Sequence, residues 1–360
     1  MKRVLVANIF GIGDVLFTTP LIANLKKEIE GISVDYLCNA RARDIVESNP
    51  DVDDIFVYEK DFFVKLWGES RLRCLKALYE LFSAVRRKRY DAVFDFTLSR
   101  GFGLFFALAG IPRRIGLDYK NRGLFLTEKV PLLGFENRHV TEYYLDLFRA
   151  IGAAVSIREM QLCPGEDTLE WARTFLEEKG ARGEHALVAV IPGGGASWGG
   201  KASRKRWGAG GFSRAADILA AAGVKIALLG DPSETDLCRD VAGGMKEHLA
   251  IAENSLTLKQ YIALLSQFDL VLCNDGGPLH VAGALGVKTV SIFGPVDDKV
   301  YGPYPTSDRH RVIKAREVPC RPCYNRFKLP ECAYENKCLT GIDPETVAQT
   351  CLELLGENRG

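Results

Sequence analysis

The sequence predicts an α/β fold of two doubly wound, Rossmann-like domains facing a cleft, on three observations: two successive series of strand-length apolar runs, helical periodicity between them, and one loosened connector. In the first series, residues 4–7, 33–37, 55–58 and 92–96 are short and rich in β-branched or aromatic side chains. A helix is expected over 15–29. Leu72, Leu75, Leu78, Tyr79, Phe82 and Val85 recur at three- and four-residue spacing, one apolar face of a second helix. That helix closes on Arg86-Arg87-Lys88-Arg89, cations that complement its dipole. The second series repeats the scheme, with strands at 187–191, 224–229, 270–273 and 289–293 and helices near 212–222, 234–242, 258–266 and 279–285. Strands alternating with helices in this way form parallel sheets covered on both faces. The connector lies between 153 and 184, where Cys163-Pro164-Gly165 precedes a charged helix and Gly180 to Gly183 loosens the chain. The expected domains are 1–165 and 166–340. Residues 341–360 hold a final helix, capped by Asp343 with Pro344 at its first position and expected to pack back on the first domain.

Composition narrows the function. The 360 residues are 47% hydrophobic, enough for two cores of ordinary size. Forty-seven Lys and Arg against 46 Asp and Glu leave a net charge of +1, which argues against wholesale nucleic-acid binding. No apolar run approaches the roughly 20 residues that a bilayer span requires, so a cytoplasmic protein is expected. Six scattered cysteines, Cys38, Cys74, Cys163, Cys238, Cys273 and Cys351, read as buried thiols of a reducing compartment. Cys320, Cys323, Cys332 and Cys338 follow a C-x2-C-x8-C-x5-C pattern, readable as a zinc site or as a structural thiol or disulfide cluster.

Four segments can carry chemistry. The 270–273 run is followed by Asn274-Asp275-Gly276-Gly277-Pro278-Leu279-His280. A buried strand that turns at once into a helix leaves the first helical N–H groups unpaired and aimed above the sheet, an anion-binding corner. Gly276 and Gly277 allow close backbone approach, Pro278 is preset for a first helical turn, and His280 lies within it. An ordinary strand-to-helix turn would use the same residues, so the other segments decide. The first strand feeds Asn8-Ile9-Phe10-Gly11-Ile12-Gly13 and a helix expected to open at Asp14. Its G-x-G lacks the third glycine of a dinucleotide fingerprint, and no Gly-Lys-Ser/Thr of a phosphate loop occurs. Asp14 is then either a helix cap or a carboxylate at the carboxyl edge of a parallel sheet, placed to take a proton. After the 187–191 run come Pro192-Gly193-Gly194-Gly195-Ala196-Ser197-Trp198 and the cations Lys201, Arg204, Lys205 and Arg206. Glycine backbone and cations suit a diphosphate, with Gly194 and Ser197 as phosphate-loop candidates, although a basic surface loop has the same composition. Glu234, in Gly230-Asp231-Pro232-Ser233-Glu234, can bind ribose hydroxyls or simply favour a helix start.

In order, the segments 12–21 (IGDVLFTTPL), 205–207 (KRW), 230–234 (GDPSE), 275–286 (DGGPLHVAGALG) and 293–295 (FGP) resemble bacterial glycosyltransferase family 9, the ADP-heptose lipopolysaccharide heptosyltransferases. The resemblance runs through most of the chain, and five ordered motifs are more specific than any one. It implies a GT-B fold with an acceptor-binding first domain and a donor-binding second, and an inverting, metal-independent transfer that requires no cofactor. By resemblance Asp14 matches the catalytic base, Lys205 the phosphate-binding lysine and Glu234 the ribose-binding acid. Leu256 matches an apolar side chain packed on adenine, and Asp275, Gly277 and His280 match the donor-sugar and phosphate corner. Gly276 stands where many members carry threonine, and the arginine often found ahead of I-G-D is missing. The implied donor is ADP-heptose and the implied acceptor a lipopolysaccharide core or Kdo-lipid A. The expected form is a monomer, with Arg71, Arg73, Lys76 and Arg86 to Arg89 facing either water or the anionic inner membrane. Two other classes suit the architecture: a nucleotide-sugar epimerase and a non-catalytic nucleotide-sugar binder.

Overall fold

The computed structural model describes residues 1–194, 196–316 and 318–356, the side chains of Ala196 and Ser197 excepted. The chain divides into two compact units, Met1–Gln161 and Leu162–Gly360. The first contains six strands: β1 (Arg3–Ala7), β2 (Ser33–Cys38), β3 (Asp54–Val57), β4 (Ala92–Asp95), β5 (Arg113–Tyr119) and β6 (Glu128–Leu132). They form one sheet in the order β3-β2-β1-β4-β5-β6, parallel throughout. The second unit contains β7 (Leu187–Ile191), β8 (Lys225–Leu229), β9 (Ile251–Glu253), β10 (Leu270–Asn274), β11 (Lys288–Ile292) and β12 (His310–Ile313). Their order, β12-β11-β10-β7-β8-β9, is again parallel and repeats the first unit's order when counted from its own first strand.

Each sheet therefore reverses direction beside its own first strand, between β1 and β4 and between β7 and β10. In open α/β sheets, ligands bind at the carboxyl ends of the strands flanking that reversal. These four strands are almost wholly buried, which is why they read as continuous apolar runs. The strands without such a signal are β5, β6, β9 and β12. Glu128-Lys129-Val130-Pro131-Leu132 tolerates charge and proline because β6 is an edge strand, and β9 and β12 occupy the edges of the second sheet.

The helix expected over 15–29 is two, Ile12–Leu16 and Thr19–Glu28. Thr18 and Thr19 turn their hydroxyls onto the carbonyls of Val15 and Leu16, at 2.6 and 2.8 Å, and Pro20 offers no N–H. The helix Arg71–Arg87 also departs from its sequence pattern. Val85 is fully buried and Phe82 packs against the first core, but Leu72, Leu75 and Tyr79 face solvent. The final helix, Pro344–Gly356, is capped as expected, Asp343 accepting from the Thr346 N–H at 2.9 Å. Its Val347, Ala348, Cys351 and Leu354 belong to the core of the second unit, and it packs on the helix Ala209–Ala221. Its apolar side, expected to pack back on the first domain, is covered by the core of its own unit. Of the six scattered cysteines five are buried, whereas Cys163, beside Pro164 in the connector, is exposed. No described helix is long and apolar enough to cross a membrane.

Candidate functional site

In the first unit the loop after β1 is fixed from both sides. Asn8, with no exposed surface, donates from Nδ2 to the Asp14 carbonyl at 3.0 Å and accepts from the Phe10 N–H at 3.0 Å. Asn39, just past β2, donates to the Ile9 carbonyl at 3.0 Å and to the carbonyl of Phe10. The helix Ile12–Leu16 thus starts ahead of Asp14, with Gly11 as its cap, and Asp14 is a half-buried carboxylate in its first turn. The cap reading of Asp14 is corrected: the helix starts two residues earlier, so Asp14 stands inside it and not at the N-cap position. Burial raises the Tyr36 phenol, and the Asp14 charge adds a smaller push in the same direction, which places the carboxylate near the end of β2.

One residue of this edge was not singled out from sequence. Asp95 ends β4, in register with Ala7 of β1, and is buried; its Oδ1 accepts from the Thr97 N–H at 2.9 Å and hydroxyl at 2.7 Å. Burial outweighs both hydrogen bonds and pushes its pKa up to about 6 from 3.8. Its only sequence signal is a carboxylate closing an apolar run. Between those two values the folded chain holds a proton that the unfolded chain has lost, so this group removes stability as pH rises through the window. The effect approaches about 3 kcal/mol at 1.36 kcal/mol per pKa unit. His310 acts in the opposite sense: burial, then Arg309 and Arg311, lowers it from 6.5 to about 4, so stability falls as pH drops through that range. Asp95→Asn keeps an acceptor for Thr97. Its urea midpoint is expected to gain on wild type between about pH 4 and pH 7, and parallel curves would show that Asp95 ionises normally.

The second unit gathers the larger share of the predicted residues. Asn274, at the end of β10, is buried and donates from Nδ2 to the carbonyls of Pro192 at 2.7 Å and Gly193 at 3.1 Å. Its Oδ1 accepts from the Trp207 N–H at 2.8 Å. One side chain thus binds the end of β10, the glycine loop after β7 and the K-R-W segment together. Lys205 Nζ lies 2.7 Å from Asp275 Oδ2 and 4.6 Å from the centre of the Trp198 ring, with both members of the ion pair buried. Directly after this pair the chain passes Gly276, at φ 153° and ψ −165°, a conformation essentially reserved for glycine, and enters the helix Gly277–Ala284. Pro278 lies in the first turn, and His280 is buried one position further on than Leu279.

Glu234 is buried and engaged within the protein. Its Oε1 accepts from the Gly194 N–H at 2.7 Å and from Arg206 Nη2 at 2.8 Å, and its Oε2 accepts from the Asp231 N–H at 3.2 Å, closing a capping box. A Cβ on Gly193 would sit 1.9 Å from Oε2, so only glycine lets the loop lie against this carboxylate. Gly194, at φ 104°, also receives Arg206 Nε on its carbonyl at 2.8 Å. The N–H of Gly194, expected from sequence to serve a phosphate loop, is here directed at Glu234. The other loop candidate, the Ser197 side chain, lies outside the described residues. Leu256 is half-buried between β9 and the helix Leu258–Leu265, which Thr257 and Gln260 cap reciprocally. Asn274 was given no role by the sequence, and Arg206, read there only as one of several cations suited to a diphosphate, pairs with Glu234.

The cysteine-bearing loop buttresses this arrangement. Arg204 Nη1 donates to the Pro330 carbonyl at 2.5 Å, and Tyr324 packs on Trp198 at 4.7 Å between ring centres. Cys320, Cys323, Cys332 and Cys338 are free thiols, which corrects the disulfide reading. Among the described residues no three His, Cys, Asp or Glu side chains could hold a metal ion, so the zinc reading gains no support.

A buried cation beside a helix start, at the switch point of a Rossmann-like unit, is a site for an anionic ligand. Comparison with known proteins agrees with the fold and motifs. The sequence profile of glycosyltransferase family 9 (heptosyltransferase) matches residues 78–333. The chain is 22% identical over 297 residues to lipopolysaccharide heptosyltransferase 3 of Escherichia coli, covering 81% of this chain and 83% of that one. Its fold is similar to that of a family 9 glycosyltransferase from Veillonella parvula, with a TM-score of 0.82, 22% identity and coverage of 99% and 98% of the two chains. The E. coli ADP-heptose lipopolysaccharide heptosyltransferase II gives a TM-score of 0.77 at 20% identity, with 100% of each chain covered. The E. coli enzyme is a GT-B structure, as the sequence resemblance implied. The match to the profile spans well over half of the sequence, and the chain belongs to glycosyltransferase family 9.

Proposed function

We propose that this glycosyltransferase moves a heptose from ADP-heptose to the inner core of lipopolysaccharide, with inversion at the anomeric carbon and without a metal ion. The observation that carries the reading is the buried Lys205–Asp275 pair immediately before the helix Gly277–Ala284. Family membership and the activities named for the similar E. coli proteins support the sugar and the acceptor. Lys205 and the first N–H groups of that helix offset the charge that grows on the departing diphosphate. Asp275 holds the lysine in place, and His280 completes the corner. Glu234 retains lone pairs for a ribose hydroxyl after its protein contacts, and Leu256 offers an apolar surface to adenine. Asp14 takes the proton from the acceptor hydroxyl as its oxygen bonds to the anomeric carbon. The bond from that carbon to the diphosphate oxygen breaks, and ADP leaves with the electron pair. The proposed setting is the cytoplasmic face of the inner membrane, where a monomer meets a lipid-borne acceptor such as Kdo-lipid A.

The test is transfer from ADP-heptose to a deacylated core acceptor, with the anomeric configuration of the product assigned by NMR. Transfer with inverted configuration, retained in excess EDTA, is expected. Retained configuration, or a strict requirement for Mg²⁺, would refute the single displacement or the role given to Lys205. ADP-heptose converted without acceptor would reveal an epimerase instead, and tight donor binding with no product would reveal a binding protein.

A further inference from the structure

The helix Arg71–Arg87 is amphipathic twice over. Its inward side carries Cys74, Leu81 and Val85, which pack with the first unit or its neighbouring helix. On the opposite side Leu72, Leu75 and Tyr79, at helical spacings of three and four, are 81%, 53% and 68% exposed. The same stripe continues through Lys76 and Ser83 to Arg86. The preceding helix, Lys60–Glu69, buries none of its residues and adds exposed Phe62, Val64 and Trp67, with Arg71 lying 5.6 Å over the Trp67 ring. A water-facing helix side with this much apolar surface needs an occupant, because polar side chains would otherwise be favoured there.

The cations name the occupant. At the helix end an open recess of about 600 Å³ is lined by Tyr79, Ser83, Arg86, Arg87 and Arg89, with Glu80 as its one acid. Lys88 turns away, pairing with Asp54 at 2.6 Å and Asp35 at 3.3 Å, whereas the three arginines stay exposed. Guanidinium groups in such a recess match phosphate oxygens bidentately, and the aromatic and aliphatic stripe beside it matches the boundary between headgroups and acyl chains. We infer that this helix side is a membrane-docking surface, seating the phosphates of an anionic bilayer in the arginine recess and Leu72, Leu75 and Tyr79 at the acyl boundary. The helix runs antiparallel to the strands, so its Leu72 end lies at the carboxyl edge of the sheet, the edge that carries Asp14. Docking along it would bring that edge to the lipid. The inference rests on the proposal of a lipid-borne acceptor, but binding to vesicles is read without any transfer.

The experiment is co-sedimentation of the full chain with phosphatidylcholine vesicles, with and without phosphatidylglycerol. Sedimentation only with the anionic vesicles is expected. A Leu72→Ser/Tyr79→Ser variant and an Arg86→Gln/Arg87→Gln/Arg89→Gln variant should each lower the partition coefficient at least about tenfold, since each cation near an anionic surface contributes roughly fivefold. Both changes lie on solvent-facing positions, so unchanged thermal unfolding is the control. Inorganic phosphate at millimolar levels should not displace the protein, because the stripe also holds it. Absence of sedimentation, or equal sedimentation of both variants and wild type, would overturn the inference. So would self-association abolished by the Leu72→Ser/Tyr79→Ser change, which would make a second copy the occupant. Vesicle binding by a protein that transfers no sugar would leave this inference standing and sink the proposed function instead.

Discussion

An Asp14→Asn enzyme is expected to bind the nucleotide-sugar donor with near wild-type affinity and to turn over at least about a hundredfold more slowly. The change is isosteric, and the backbone around it is held by Asn8 and Asn39 rather than by the carboxylate, so the loop should keep its shape. The groups proposed for the donor all belong to the second unit, which explains the unchanged binding. What is lost is the ability to accept a proton while the acceptor oxygen attacks. The loss should therefore appear in kcat, with the donor KM little changed, and the acidic limb of the pH profile should vanish. Asp95 is the competing base, since burial raises it to about 6 and it ends the strand beside β1. Turnover of Asp14→Asn within tenfold of wild type, with the acidic limb intact, would transfer the role to Asp95 or remove it from this edge.

The sequence displayed the strands around each switch point, and even the edge strand β3, but hid β5, β6, β9 and β12. β1, β4, β7 and β10 are covered on both faces, so burial forces apolar runs on them, and those runs are visible without knowledge of the fold. β5, with Arg113-Arg114 at its start, and β6, with Pro131, can afford polar side chains because fewer of their surfaces are covered. Periodicity misled in one place for a related reason. Leu72, Leu75 and Tyr79 share the spacing of core residues, but spacing reports that apolar residues share a side, not what that side meets. The chosen site residues were legible where glycine, proline and charge must coincide, as at Asp275 to Pro278. The role of Asn274 and the pairing of Arg206 stayed hidden because they depend on partners remote in sequence, Pro192 and Trp207 for one and Gly194 and Glu234 for the other. Such pairings exist only after the sheet has brought the ends of β7, β8 and β10 together.

Lys205→Met is expected to lower stability by about 3–5 kcal/mol as well as abolish detectable donor binding, because it leaves a buried carboxylate without its partner. The pair is 2.7 Å apart with side chains 10% and 4% exposed, so water can replace little of what the ammonium supplied. A stability defect of that size would by itself lower activity, and the single variant cannot separate the two effects. The double variant Lys205→Met/Asp275→Asn can. With neither charge present the desolvation cost disappears, and most of the lost stability should return in urea unfolding. Donor binding should not return, because the diphosphate would still meet an uncharged side chain where a cation is required. Recovery of both would make Lys205 a structural counter-ion and remove it from the leaving-group site. Unchanged stability in Lys205→Met alone would mean that the carboxylate of Asp275 is satisfied without the lysine, and the corner would then have to bind its phosphates mainly through the amides of the helix Gly277–Ala284.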